Sequence, residues 1–179
     1  MDFLNVDSAV MASYQPQPKK IHTQSDIIFR AGRPEDQALI WEMHQRLSDD
    51  SLYKRYHSPR VPTKKEIARI CEIKPENGRL LVATIPGKRD QIVGMAYYVL
   101  SGETAEAALL VEDSFQGQGI GNQLFKMLAR QALAQGIYFF DAYVLPSNRA
   151  MIHMLHQIGQ IIYNKLDYGT REVRVSLKA

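Results

Sequence analysis

The segment from Leu109 to Gly121 combines residue types that can bind a phosphate group. Its sequence, LLVEDSFQGQGIG, runs from an apolar stretch through Gly117, Gly119 and Gly121 to the start of a predicted helix. Glycines let the main chain approach a ligand without interference from a Cβ atom. The free N–H groups and the positive dipole end at a helix start favour phosphate oxygens. The spacing therefore predicts a phosphate-binding turn, with a merely tight strand-to-helix turn as the alternative.

Two common phosphate motifs do not fit this segment. The dinucleotide pattern G-x-G-x-x-G fails because Asn122 stands three residues after Gly119. The P-loop fails because no Gly-Lys-Ser/Thr follows the glycines. The pattern that does fit is Q/R-x-x-G-x-G/A, with Gln116, Gly119 and Gly121 at its fixed positions.

The periodicity of apolar residues predicts the elements that would position this turn. Helices are predicted to begin at Pro34, Ser48, Pro62, Asn122 and Asn148. Strands are predicted at Ile27 to Arg30, Arg79 to Ile85, Gln91 to Leu100, Thr104 to Val111, Tyr138 to Leu145 and Arg171 to Leu177. The strand from Tyr138 has too few polar residues for a solvent-exposed face, so it should be central. The order predicts a single α+β domain over residues 26–179 with a mixed sheet, after a flexible tail at residues 1–25.

The composition excludes several classes of protein. The 179 residues are 45% hydrophobic and 23% charged, which fits one globular domain and not a disordered or fibrous chain. The most apolar stretch, 92–100, is far shorter than the roughly 20 residues that cross a bilayer, so no membrane partner is expected. A single cysteine, Cys71, fits a reducing cytoplasm.

Charge is unevenly distributed, although the formal net charge is only +3. Either charged segment could face a ligand of opposite charge or be a solvated surface. The basic stripe comprises Lys54, Arg55, Arg60, Lys64, Lys65 and Arg69. The acidic segment comprises Glu103, Glu106, Glu112 and Asp113.

The turn and its surroundings together resemble the GNAT family of acyl-CoA-dependent N-acetyltransferases, in which such a turn holds the pyrophosphate of coenzyme A. Segments 47–56, 105–113, 136–137, 144–145 and 148–151 look like one branch, the GNAT domain of bacterial protein-lysine acetyltransferases. The resemblance covers roughly residues 26–178. It implies the GNAT fold with a mostly antiparallel central sheet, acetyl-CoA as co-substrate without a metal, and a protein lysine as the acceptor.

The resemblance also implies that Glu106 is the general base. A lysine ammonium has a pKa near 10.4, so a base must remove a proton before the nitrogen can attack. Glu106 lies on the strand that leads into the turn and at period two shares a face with Ala108 and Leu110. A carboxylate among such neighbours can accept the proton directly or through water. The alternative is an exposed residue at the mouth of a hairpin.

The same resemblance implies a set of cofactor-binding residues. Leu110 and Val111 would pair main-chain groups with the pantetheine amides, as an added strand would. Asn148 would contact the coenzyme, cap its helix, or do both. Lys126 and Arg130 could meet the 3′-phosphate, although a solvated helix face also suits them. The pyrophosphate would be held by Gln116, Gly117, Gln118, Gly119, Ile120, Gly121 and Asn122.

Two positions depart from the family pattern. The usual general acid is a tyrosine seven residues after the asparagine, but Leu155 stands there. Tyr143, Tyr163 and Tyr168 are possible substitutes, with core packing expected for each, and water can also protonate the thiolate. The usual Gly-Phe after this helix is Gly159-Gln160.

Other functions remain open to the sequence. The acceptor could be a small amine such as a polyamine or an aminoglycoside, since an acidic segment suits any cation. The domain could bind coenzyme A without catalysis. Nucleic-acid binding is disfavoured because the basic stripe offers only Tyr53 and Tyr56 for stacking. His153 and His156 lack further ligands for a metal. The oligomeric state, monomer or homodimer, is undetermined.

Overall fold

A computed structural model describes residues 27–87, 89–102 and 104–178, and the predicted tail lies outside this range. The helices in these residues are α1 (Gln37–Gln45), α2 (Asp49–Tyr56), α3 (Lys64–Cys71), α4 (Ile120–Ala134) and α5 (Arg149–Ile158). The strands are β1 (Ile28–Ala31), β2 (Gly78–Ile85), β3 (Gln91–Ser101), β4 (Thr104–Val111), β5 (Phe139–Val144), β6 (Gly159–Asp167) and β7 (Thr170–Leu177). The seven strands form one sheet in the order β1-β2-β3-β4-β5-β7-β6.

The sheet is mixed, which confirms the predicted α+β class. Every neighbouring pair is antiparallel except β4 and β5, which run parallel. Helices α4 and α5 pack on one face, where Leu124, Phe125 and Leu155 are fully buried. Helices α1 and α3 cover the other face near β2 and β3, where Ile40 and Ile67 are fully buried. The apolar faces of the helices thus enclose strands β2, β3 and β4 from both sides.

The parting of β4 from β5 is the feature that shapes the functional region. The two strands pair at Ala105–Phe140 and Glu106–Asp141, and at no further residue of either strand. Beyond Glu106, β4 stays paired with β3 as far as Val111 and loses its neighbour on the β5 side. A gap therefore opens in the sheet, with main-chain groups of β4 along its edge.

Strand β5 lies inside the sheet, as predicted, but it has a solvent-exposed face. Phe140, Ala142 and Val144 are buried against α4 and α5, while Tyr143 is 51% exposed. The core cluster that α1 and α3 form on that face includes residues of β2, β3 and β4 but none of β5. The expectation that β5 lacks a solvent-exposed face is therefore wrong.

Strand β6 is absent from the elements predicted above, because a glycine after a helix, such as Gly159, is typical of a helix end. Gly159 ends α5 and also begins β6 without an intervening loop. Most of β6 is exposed, and a register shift between Ile161 and Tyr163 interrupts its pairing with β7. An exposed edge strand with such a bulge lacks the alternation by which strands are recognised in a sequence.

The tight junction at Gly159 generates a prediction about stability. A Cβ atom there would lie 2.1 Å from the carbonyl oxygen of Ser176 and 2.7 Å from Cγ1 of Val175. Since the backbone of Gly159 is extended (φ 178°), the cost of Gly159→Ala is steric. We expect it to lower the free energy of unfolding by about 1–3 kcal/mol in urea denaturation. Gln160→Ala, at the exposed neighbour, serves as control, and equal stability of the two variants would contradict the prediction.

Candidate active site

The glycine turn places free main-chain N–H groups at the start of α4. Gly117 (φ 74°) and Gly119 (φ 82°) adopt left-handed backbone, which residues with a Cβ rarely do. Among the described residues, no main-chain carbonyl accepts a hydrogen bond from the N–H groups of Ile120, Gly121 or Asn122. These donors point out of the first turn of a 15-residue helix, whose dipole adds positive potential there. The geometry suits an anion such as a phosphate.

A cavity of about 340 Å³, here called the turn cavity, lies between this turn, the edge of β4, the start of α5 and the helix α2. Gln118 does not line it, and its side-chain amide donates to the carbonyl of Ser114 at 3.1 Å. The structure thus brings the other residues of the predicted cofactor set together. Those that line the turn cavity are Leu110, Val111, Gln116, Gly117, Gly119, Ile120, Gly121, Asn122 and Asn148.

The side chain of Gln116 holds the turn in place. Its amide nitrogen donates to the carbonyl of Val111 and to the hydroxyl of Ser51, both at 3.0 Å. The first bond closes the turn back onto β4, and the second ties the turn to α2. Gln116 therefore positions the turn through its side chain.

Asp113 strengthens the link between the turn and α2. It accepts hydrogen bonds from the amide and hydroxyl of Ser48, at 3.0 and 2.6 Å, and from the hydroxyl of Ser51 at 2.9 Å. Burial alone would raise the pKa of Asp113, but these hydrogen bonds outweigh it and the pKa is lowered. An ionised Asp113 thus fixes the N-terminus of α2 beside the turn.

A second cavity of about 460 Å³, here called the Glu106 cavity, adjoins the first. Glu106, Tyr143 and Tyr168 line it, together with Asp167. The two cavities have a common wall formed by Lys54, Arg55, Leu109, Asn148 and Met151.

Glu106 lies on β4 where that strand last pairs with β5, so its position follows from the parting of the two strands. Its side chain is exposed, whereas Ala108 and Leu110 further along β4 are buried. The carboxylate is therefore exposed, as in the alternative that the sequence left open, although Ala108 and Leu109 line the same cavity. Glu106 faces a polar cavity that is open to solvent, where water and an incoming amine can reach it.

Asn148 caps the helix α5, since its side-chain oxygen accepts a hydrogen bond from the N–H of Met151 at 3.2 Å. This confirms the capping role, one of the two that the sequence left open. Because Asn148 also lies in the wall between the cavities, the cap fixes the start of α5 at their junction.

The three tyrosines considered as general acids are all exposed, so the expectation of core packing is wrong for each. Tyr143 and Tyr168 line the Glu106 cavity, whereas Tyr163 lines neither cavity and is 43% exposed on β6. Burial and the nearby carboxylates of Glu172 and Glu106 raise the pKa of Tyr143, which therefore carries its proton at neutral pH. Leu155, at the position of the usual acid, is fully buried.

Arg55 is braced at the common wall by aromatic side chains. Its guanidinium lies 4.8 Å from the ring centroid of Tyr56 and 5.4 Å from that of Tyr97, and it donates a hydrogen bond to the Tyr97 hydroxyl. Burial raises the pKa of Tyr56 to about 12, so its hydroxyl stays protonated.

The hydroxyl of Tyr56 in turn meets the buried ring of His44. Nδ1 of His44 lies 2.7 Å from the carbonyl of Ile40, which can only accept, so this nitrogen carries the proton. Nε2 then accepts from the Tyr56 hydroxyl at 2.7 Å. Burial lowers the pKa of His44, and the cation of Arg55 lowers it further.

Sequence reasoning missed the wall contributed by α2, which includes Ser51, Lys54 and Arg55. The signal was present as a basic stripe, but no periodicity connects this helix to a turn so far along the chain. Lys126 and Arg130 lie outside both cavities, beside Asn122 on an exposed face of α4. Within residues 27–87, 89–102 and 104–178, no three His, Cys, Asp or Glu side chains are grouped to hold a metal ion.

None of the helices in the described ranges combines the length and apolar character that a membrane span requires.

The fold and the two cavities define an α+β protein in which a turn with free main-chain N–H groups adjoins a cavity that bears a carboxylate, and comparison with known proteins gives its family. The model of the Acetyltransferase (GNAT) family matches residues 39–159. The chain therefore belongs to the GNAT acetyltransferase family, as the resemblance in the sequence predicted.

The chain is also similar to particular members of the family. The chain is 29% identical over 149 residues to the acetyltransferase Pat of Mycolicibacterium smegmatis, a match that covers 82% of this chain and 44% of Pat. The crystal structure of the GNAT domain of S. lividans PAT superposes with a TM-score of 0.73 at 26% identity, covering 83% of this chain and 89% of that domain. The structure of yncA from Salmonella typhimurium, solved with its cofactor acetyl-CoA, has a TM-score of 0.68 at 19% identity and covers 86% and 95% of the two chains.

The buried His44 predicts how stability depends on pH. Its pKa in the folded protein is lower than the value of 6.5 expected when unfolded. Between the folded-state pKa and pH 6.5, the folded state therefore binds fewer protons than the unfolded state. The contribution of neutral His44 to the free energy of unfolding is complete above pH 6.5 and is lost as the pH falls through the folded-state pKa. We expect the unfolding free energy to fall with a slope of up to about 1.4 kcal/mol per pH unit there.

Urea denaturation between pH 7.5 and 5 measures this slope. His44→Asn removes the titrating ring, so the slope should decrease, whereas His156→Asn, at an exposed site, should leave it unchanged. An identical slope in wild type and His44→Asn would contradict the assignment.

Proposed function

We propose that the protein transfers the acetyl group of acetyl-CoA to an amine, and that the amine is a lysine side chain of another protein. The observation that carries this proposal is the common wall between the turn cavity and the Glu106 cavity. A thioester that enters from the turn and an amine that enters beside Glu106 would meet there.

The turn cavity supplies the groups that coenzyme A needs. The N–H groups of Ile120, Gly121 and Asn122 would receive the pyrophosphate oxygens, since an anion there completes hydrogen bonds that the fold leaves open. The edge of β4 at Leu110 and Val111, which has no partner on the β5 side, would pair with the pantetheine amides as an added strand. The yncA structure with acetyl-CoA supports this choice of cofactor.

The Glu106 cavity supplies the base. Glu106 would accept a proton from the acceptor ammonium, directly or through water, and the freed nitrogen would attack the thioester carbonyl. A C–N bond then forms, the C–S bond breaks, and coenzyme A leaves as a thiolate. The nitrogen, which is cationic after the attack, loses its second proton to the thiolate through water, since Leu155 has no proton to give, and Glu106 releases the first proton to solvent. This direct attack requires both substrates to be bound together.

The choice of a protein lysine as acceptor is supported by the relatives. The chain is similar to Pat and to the GNAT domain of PAT, at 29% and 26% identity. Because the chain spans only 44% of the length of Pat, the acceptor of the whole relative is carried over as a proposal. The exposed mouth of the Glu106 cavity, which includes the hairpin tip at Tyr168, is compatible with a large acceptor.

Replacing the base tests the mechanism. Glu106→Gln keeps the shape and removes the proton acceptor, so we expect turnover to fall by roughly 10²-fold or more. The dissociation constant for coenzyme A, measured by calorimetry, should stay unchanged. Glu172→Gln on strand β7, at a residue that lines neither cavity, should retain activity. Near-normal turnover of Glu106→Gln would remove the assignment.

Incubation with labelled acetyl-CoA and cell lysate tests the acceptor. We expect label in protein, at lysine side chains by mass spectrometry, and none in free polyamines. Label confined to small molecules would replace the protein acceptor by a small amine. Heat of coenzyme A binding without any transfer would leave a catalytically silent cofactor-binding domain.

A further inference from the structure

The wall between the two cavities carries a fixed positive charge. Arg55 is held by its hydrogen bond to Tyr97 and by the faces of Tyr56 and Tyr97. The brace extends to the buried His44 through the Tyr56 hydroxyl. A side chain held in this way loses little conformational freedom when it binds a further group.

This charge has no acidic partner in the described part of the chain. No carboxylate there lies within 4.0 Å of the Arg55 guanidinium. Neighbouring Lys54 differs, because it pairs with Asp50 on its own helix at 2.5 Å. The guanidinium therefore retains hydrogen-bond donors toward the cavities in a planar fork that matches a carboxylate.

The Glu106 cavity as a whole is bipolar. Lys54, Arg55 and His57 lie at the end of α2 on one side, and Glu106 and Asp167 supply carboxylates from β4 and β6. An acceptor that bears only an ammonium would pair with the carboxylates and be repelled by Arg55. An acceptor that bears an ammonium and a carboxylate would pair with the carboxylates of the cavity and with Arg55.

We infer that the Glu106 cavity selects a lysine flanked by an acidic residue, whose carboxylate Arg55 binds while the ammonium approaches Glu106. The inference rests on the proposed function and names the acceptor sequence that this function would use. The flanking carboxylate brings its own charge to the wall, so the cation of Arg55 attracts this acceptor and disfavours a lysine among neutral residues.

Two peptides of equal length test the inference, one with Asp-Lys-Asp and one with Asn-Lys-Asn at the centre. For the wild-type enzyme we expect kcat/KM at least 10-fold higher for the acidic peptide. Arg55→Gln should lower kcat/KM for the acidic peptide to the value for the neutral peptide. Arg55→Lys should restore part of the difference in kcat/KM between the two peptides. Arg69→Gln removes a charge of the same basic stripe that lines neither cavity, and it should keep the full preference.

Fluorescence anisotropy, with a fluorescent label on the same two peptides, compares their binding affinities without turnover. Tighter binding of the acidic peptide by wild type, lost in Arg55→Gln, supports the inference even if no acetyl is transferred, in which case the proposed function alone fails. Equal binding and equal rates for the two peptides would overturn the inference and leave the proposed function standing.

Two further outcomes would also overturn it. If Arg55→Gln raises KM for acetyl-CoA and lowers kcat/KM equally for both peptides, Arg55 binds the cofactor and not the acceptor. If the preference appears only for Nα-acetyl-lysine over its amide, with no difference between the peptides, the bound carboxylate belongs to a free amino acid and not to a polypeptide.

Discussion

The functional region depends on the separation of two parallel strands. β4 and β5 pair at Glu106 and then part, and main-chain polar groups at a parted edge must find other partners. The gap explains why the turn after β4 and the start of α5 after β5 face each other across one cavity. It also explains why Glu106, at the point of separation, lies in a second cavity beside the first.

Polar contacts hold the third side of this region. α2 contributes Lys54 and Arg55 to the wall common to both cavities, yet its eight residues include few large apolar side chains. Its position depends on Asp113 and Gln116, which bind Ser48 and Ser51 from the far side of the turn. Hydrogen bonds between the turn and α2 thus connect the cofactor side with the acceptor side.

Local patterns made part of this architecture predictable. The spacing of Gly117, Gly119 and Gly121 identified the turn, because left-handed backbone and a helix start are properties of a short segment. The exposure of Tyr143 was not predictable, and that of Glu106 was only one of two alternatives, since exposure depends on which helices cover a strand, and distant packing decides that. β6 is not evident in the sequence for a similar reason, because it is a strand only through its pairing with β7. The position of α2 beside the turn depends on hydrogen bonds between residues far apart in the sequence, and such bonds produce no periodic pattern.

The outer edge of β6 has a consequence for how the molecule behaves in concentrated solution. Ile162 and Leu166 are 51% and 56% exposed beside main-chain groups that no strand in the described residues covers. A long, regular apolar edge strand can pair with the edge strand of another molecule and so promote aggregation. The bulge between Ile161 and Tyr163 breaks that regular spacing, and Lys165 adds a charge beyond it. An irregular edge of this kind disfavours edge-to-edge pairing between molecules.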